Sequence, residues 1–304
     1  MGSSESSLNS NKNKVIEFNK KYNWILSYPQ REREILSENN VTKVIGTLNT
    51  ENKSYVDLRV NCPPILDIGS IPLHPIASVC SLLNYQLNKN KLPTFPPSRL
   101  FIYKNISFFP DVKSVISYEM IFNSLLTHGF CSEIDYTYTL ENLEYEPSSK
   151  NYEVAEAFKF MDIYRLENNL DFLKKLLQND IPVLIGIVLY YDLSKIVDSL
   201  WLPDMSIDNR VGGTTGVLVG YSDDRQCFFL KMAYGKNFGA SGYVMIPFEY
   251  VKDSTLVPEL YYMDLKKNRI EGFLNQRREI ISLQNKPNVG EKYQKCDNVE
   301  SFFS

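Results

Sequence analysis

Apolar residues run along the chain in two rhythms. From Pro75 to Leu87, Ile76, Cys80, Leu83 and the Tyr85–Leu87 end recur at helical spacing, and Ala77, Val79 and Leu82 fill the gaps. A helix that is apolar nearly all round must be surrounded by protein, so this segment predicts a central helix. Pro75 suits its first turn, where a missing N–H costs nothing. Residues 118–128 predict a second helix closed by Gly129, and 168–177 a third, with Leu170, Phe172, Leu173 and Leu176 on its apolar side. Val15 to Leu26 carries an imperfect helical stripe. The second half changes character. Its longest apolar run, Ile181 to Tyr191, is β-branched and of strand length. Strands are predicted at 182–190, 216–222, 226–232 and 241–246, joined to earlier ones at 54–59 and 158–166. Asp223-Asp224 reads as the turn of a hairpin. Ser98 to Tyr103 is an aromatic segment, and residues 140–152 form a polar excursion.

A helix-rich first half followed by a strand-rich second half predicts an α+β fold with two lobes. The expected organisation is a flexible tail over 1–14, one domain over 15–266 and a charged extension over 267–304, with 269–283 helical. A chain of 304 residues with 43% apolar residues can bury a large core. A net charge of −3 with scattered basic residues offers nucleic acid no electrostatic footprint. No run reaches the ~18 apolar residues of a membrane span. Five cysteines at irregular spacing, without a secretory leader pattern, fit a reducing interior, so the expectation is intracellular and not secreted. Without a C-x-x-C pair, and with only His74 and His128, no metal site is expected and no cofactor is implied. Met1-Gly2-Ser3-Ser4-Glu5-Ser6 fits the pattern for acylation of Gly2, a lipidation candidate that implies weak membrane or virion association.

Nine short motifs fall in a definite order. They are Tyr22-Asn-Trp-Ile-Leu-Ser-Tyr-Pro-Gln-Arg-Glu-Arg33, Val56-Asp-Leu-Arg-Val-Asn-Cys-Pro-Pro64, Ile68-Gly-Ser-Ile-Pro-Leu-His74, Ser98-Arg-Leu-Phe-Ile-Tyr-Lys-Asn105 and Gly129-Phe-Cys-Ser-Glu133. Then come Ile181-Pro-Val-Leu-Ile-Gly186, Gly212-Gly-Thr-Thr-Gly-Val-Leu-Val-Gly-Tyr221, Tyr234-Gly-Lys-Asn-Phe-Gly-Ala-Ser-Gly-Tyr243 and Ile246-Pro-Phe-Glu-Tyr250. In this order, over roughly residues 20–265, the chain resembles the papain-type (C1) cysteine peptidases. It most resembles their short branch in microbes and large DNA viruses, which lacks a long inhibitory prosegment. The resemblance implies a papain-like fold, with a helical left lobe and a β-rich right lobe. It also implies a mechanism: a thiolate at a helix N-terminus, a His base oriented by an Asn, and a Gln that helps bind the oxyanion.

Carried over position by position, none of these groups is present. Where the family reads Q-G-S-x-G-S-C, Gly69-Ser70 set the register, Ile68 takes the Gln place and His74 the Cys place. Where it reads G-G-H, Gly212-Gly213 persist and Thr214 takes the His place. Where it reads N-S-W-G, Met232 takes the Asn place, followed by Ala233-Tyr234-Gly235. Ile cannot donate a hydrogen bond, Met cannot orient an imidazole, and a Thr hydroxyl is not a base near neutral pH. The expectation is a catalytically inactive homologue, a pseudoenzyme that binds a peptide or protein segment in its inter-lobe cleft or serves a structural role. The alternative is an active cysteine-type hydrolase using other residues: His74 alone, Cys80, or a His128–Cys131 dyad. Cys80 sits nearly two turns into a buried helix and is expected in the core.

Overall fold

The computed structural model describes residues 22–27, 33–69, 71–106, 115–200, 202 and 211–284, with the side chains of 195 and 280–284 outside that description. Gly2, the rest of the tail and the start of the Val15–Leu26 stripe lie outside it.

The described elements run in chain order as β1 (Ile35–Leu36), α1 (Val41–Val44), β2 (Tyr55–Asp57), α2 (His74–Asn90), α3 (Arg99–Lys104), α4 (Tyr118–His128) and α5 (Ser149–Ala155). They continue as β3 (Met161–Leu166), α6 (Leu170–Gln178), β4 (Val183–Leu189), β5 (Gly212–Ser222), β6 (Cys227–Lys231), β7 (Tyr243–Pro247), α7 (Phe248–Lys252), β8 (Glu259–Leu265) and α8 (Lys267–Gln284). Seven strands lie in the order β1-β3-β8-β4-β5-β6-β7, and β2 joins the same sheet by pairing with β5. Only the short β1–β3 pairing is parallel among the strand pairs described. The arrangement is the α+β, papain-like two-lobe fold, in which the helices Leu170–Gln178 and Phe248–Lys252 also pack on the sheet.

The central helix α2 is buried at every position from His74 to Leu83 and packs on β4, β5 and β8. Its near-complete apolar surface is what allows it to run through the middle of the protein. The surrounding helices start on local signals. Ser98, Ser117, Ser148 and Asn169 each accept a bond from a backbone N–H in the first turn of α3, α4, α5 and α6. Gly129 closes α4 at φ 73°, where a Cβ would lie 2.0 Å from the Ala155 carbonyl oxygen, so no larger residue fits.

Several expectations change. Residues 22–26, read as part of a helical stripe, are extended: Asn23 bridges Gly213 and Trp24 bridges Ile116, both in parallel. Tertiary pairing overrides a weak local periodicity there. The aromatic segment from Ser98 is the capped helix α3, and the polar excursion holds a 3₁₀ turn at Glu141–Leu143 and the helix α5. β3 starts at Met161, because a 3₁₀ turn occupies Glu156–Phe158. β5 starts four residues earlier than read, at Gly212, since pairing with β4 continues through the glycines. β8 was not anticipated. Its Tyr-rich sequence is set between β3 and β4, and only that double pairing makes it a strand. The Asp223-Asp224 turn joins β5 to β6, and α8 spans the helix expected near 269–283. No helix among the described residues is long and apolar enough to cross a membrane.

Candidate functional site between the lobes

Three of the four singled-out positions, Ile68, His74 and Thr214, gather around Tyr234, where α2 and β5 meet the loop before α2. The loop is held from both sides. Asp67 bridges Tyr234, and the Gly235 N–H donates to the Leu66 carbonyl at 3.0 Å. The Tyr138 hydroxyl lies 3.0 and 2.7 Å from the carbonyl oxygens of Ile68 and Ile71. Arg99 donates to the Asp67 carbonyl at 2.7 Å, pairs with Glu133 at 2.6 and 2.8 Å, and lays its guanidinium 3.5 Å from the Tyr138 ring centre. The Arg99–Glu133 pair joins two of the motifs noted in the sequence, a link that neither motif discloses alone.

His74 is the first residue of α2. Leu73 precedes it, without a side-chain cap, and Pro75 follows in the first turn. The imidazole is fully buried. Neither ring nitrogen has a partner of standard hydrogen-bond geometry, although the backbone at Gly213 approaches closely enough to favour the charged ring slightly. Burial dominates and pushes the pKa down to about 3, so the ring is neutral at physiological pH. Its carbonyl accepts from the Thr215 hydroxyl at 3.3 Å, and Thr215 also bonds Ser78 at 2.9 Å, tying β5 to α2.

Thr214 is fully buried, and its hydroxyl lies 2.7 Å from that of Tyr234. The Tyr234 ring in turn sits 5.7 Å from the His74 ring, tilted by 30°. Met232 is 1% exposed. Ile68 joins Ala77 and Ala233 in a small apolar cluster, with Leu66 and Tyr234 against it. Ile68, His74 and Thr214 are thus gathered around Tyr234 and packed as core, while Met232 is buried two residues before that tyrosine. Tyr234, which the sequence offered only as a replaced Trp, is the side chain that links two of them.

The chain's own residues 22–27 cross this region. The Asn23 side chain donates to the Pro72 carbonyl at 2.7 Å, two residues before His74. Backbone bonds join Ile25 N to Ile116 O at 3.1 Å and Ile116 N to Asn23 O at 2.9 Å. Trp24 is 1% exposed and lies against Gly186 and Gly213, where a Cβ would meet its ring at 2.2 and 2.4 Å. The segment therefore touches the helical side through Ile116 and the sheet through β4 and β5.

Among the described residues, no hydrogen bond pairs the other nucleophile candidates with a base. Cys80 is 1% exposed and burial raises its thiol far above the ordinary value. Cys131 is fully buried and pushed up to about 12 by burial and Asp135. His128 packs edge-on to Tyr152 at 5.9 Å. Cys62 is pushed up to about 11, and Cys227 is also raised, both mainly by burial. Among the described residues no group of His, Cys, Asp and Glu has the makings of a metal site.

No protein-family model matches the chain. An uncharacterized peptidase C1-like protein of Acanthamoeba polyphaga mimivirus is 26% identical over 209 residues, which cover 64% of this chain and 66% of that protein. The match therefore spans slightly under two thirds of that relative's length. Among solved structures, xylellain, a cysteine protease from Xylella fastidiosa, superposes with a TM-score of 0.71 at 23% identity, covering 81% of this chain and 97% of xylellain. Procathepsin L 3 of Tenebrio molitor larval midgut gives 0.63 at 15% identity, covering 83% and 79%. At these identities the structural likeness is one of fold.

Proposed function

Taking the chain as a papain-like protein of the C1 family, we propose that it is a catalytically inactive homologue, a pseudopeptidase that acts as a binding or structural protein. The observation that carries the reading is His74. In the place where the resemblance puts a thiolate, the helix start presents a neutral, fully buried imidazole whose ring nitrogens bond no side chain. A nucleophile needs a base within hydrogen-bond reach, and Thr214 and Met232 supply none. Loss of nucleophile and base together removes on the order of 10⁶ in rate. The alternative, an active hydrolase using other residues, gains nothing from the raised thiols of Cys80 and Cys131.

Residues 22–27 bear on what the groove holds. A partner peptide would add to the exposed backbone of such a groove, but here Asn23 and Trp24 already bond and pack there. A structural role therefore needs no further rearrangement, whereas peptide binding requires this segment to leave.

The test is an activity-based thiol probe and a broad peptide library applied to the full purified chain. No cleavage and no active-site labelling are expected. Labelling or cleavage abolished by one Cys→Ala change, or by His74→Ala, would establish the alternative.

A further inference from the structure

A separate concavity of about 280 Å³ opens on the β-rich lobe, among β2, β7 and the turn from β5 to β6. Tyr55, Phe229 and Tyr243 are among its lining residues. Phe229 is almost fully buried, and the half-exposed Tyr55 ring stands edge-on to it at 5.7 Å. Arg59 covers Phe229 at 4.8 Å and reaches Tyr243 at 5.8 Å. That guanidinium is already neutralised, because Asp57 accepts two bonds from it at 2.9 and 2.7 Å.

Two further charges line the cavity and are not neutralised. Arg225, exposed on the β5–β6 turn, makes one side-chain contact, its Nη1 to the Met245 sulfur at 3.6 Å, and has no carboxylate partner among the described residues. Asp198 comes from a different element, the segment that bonds β7 through the Met245 N–H, and it too forms no ion pair among the described residues. Arg225 and Asp198 form no ion pair with each other, and both line the same small space.

The charges around the cavity cancel: Arg59 with Asp57, Arg225 with Asp198. A simple anion or cation would meet one favourable and one unfavourable group. We infer that the cavity binds a small aromatic zwitterion of the α-amino acid class. Its carboxylate is held by Arg225, its ammonium by Asp198 and its ring by the exposed Tyr55. A guanidinium presents the planar fork that a carboxylate matches. An aromatic lining with few polar groups is how small-ligand sites are commonly built. This inference is independent of the catalytic state of the site between the lobes.

The test is titration calorimetry of the full chain with L-phenylalanine, glycine, 3-phenylpropionate and phenethylamine. L-Phenylalanine is expected to bind about tenfold or more tightly than each of the other three, as a charged hydrogen bond or a buried ring contributes. Arg225→Ala and Asp198→Asn should each weaken it about tenfold, and Tyr55→Ala should weaken it while leaving glycine unaffected. All three residues are exposed at least in part, so near-UV circular dichroism should show each variant folded. The inference fails if L-phenylalanine binds no better than glycine. It also fails if either singly charged analogue binds as well, or if Arg225→Ala leaves the affinity unchanged.

Discussion

The hydroxyls of Tyr234 and Thr214 lie 2.7 Å apart and join the loop after β6 to the buried end of β5. Thr214 is fully enclosed, so its hydroxyl depends on Tyr234 for a partner. Tyr234→Phe should therefore cost about 1–2 kcal/mol by leaving a buried hydroxyl unpaired. Thr214→Val in the same chain should recover most of the loss. Urea unfolding of the two single variants and the double variant measures the coupling. A simple sum of the single losses would mean that the bond contributes nothing.

Burial of the neutral His74 ring makes stability depend on pH. The native pKa, about 3, is below the ordinary His value of 6.5, so in this window the unfolded chain binds the proton and the native chain does not. The contribution is complete above pH 6.5 and is lost as the pH falls toward 3, with a limiting slope of about 1.4 kcal/mol per pH unit. His74→Phe should remove that slope. Between pH 7 and pH 5 the native chain should lose about 2 kcal/mol more than the variant. Equal losses in urea titrations at the two pH values would show that His74 is hydrated and titrates freely.

Trp24 fills space that two glycines leave open. Gly186→Ala and Gly213→Ala each place a methyl group inside the indole's contact distance, so something must shift. Overpacking of this kind costs about 1–3 kcal/mol. In a Trp201→Phe background, where Trp24 is the single tryptophan, the emission should move to the red. Chymotrypsin should also cut near residues 22–27 faster. An unchanged spectrum in both variants would show that the segment is not held by this packing.

The Arg99–Glu133 pair is enclosed on both sides, with side chains 7% and 16% exposed. Arg99→Met strands the Glu133 carboxylate and frees the Asp67 carbonyl. The expected loss is about 3–5 kcal/mol, as for removing one partner of a buried pair. Glu133→Gln keeps one acceptor and should cost less. Thermal unfolding of the two variants ranks them, and the reverse order would place the energy in the carboxylate rather than in the loop anchor.

Much of this molecule was legible along the chain because its signals are local. The all-round apolar stretch after His74 could only be a central helix, and the β-branched run from Val183 could only be a buried strand. The helices after Ser117 and Asn169 and the Asp223-Asp224 turn likewise carry their own instructions. The order of the short motifs then gave the papain-like fold, and their register identified Ile68, His74, Thr214 and Met232 as positions to examine together.

What tertiary structure alone decided is how distant segments meet. Nothing near Glu259 says strand until β3 and β4 flank it, and nothing near Trp24 says extended until Gly213 and Ile116 offer it backbone partners. The Arg99–Glu133 clamp and the Tyr234–Thr214 bond join residues 34 and 20 positions apart. The sequence places a histidine at position 74, but only packing shows that the imidazole there is sealed from solvent. Local sequence controls helix starts, turns and periodicity through short-range bonds and sterics. Burial, and with it the charge state of His74, depends on every element that closes around it.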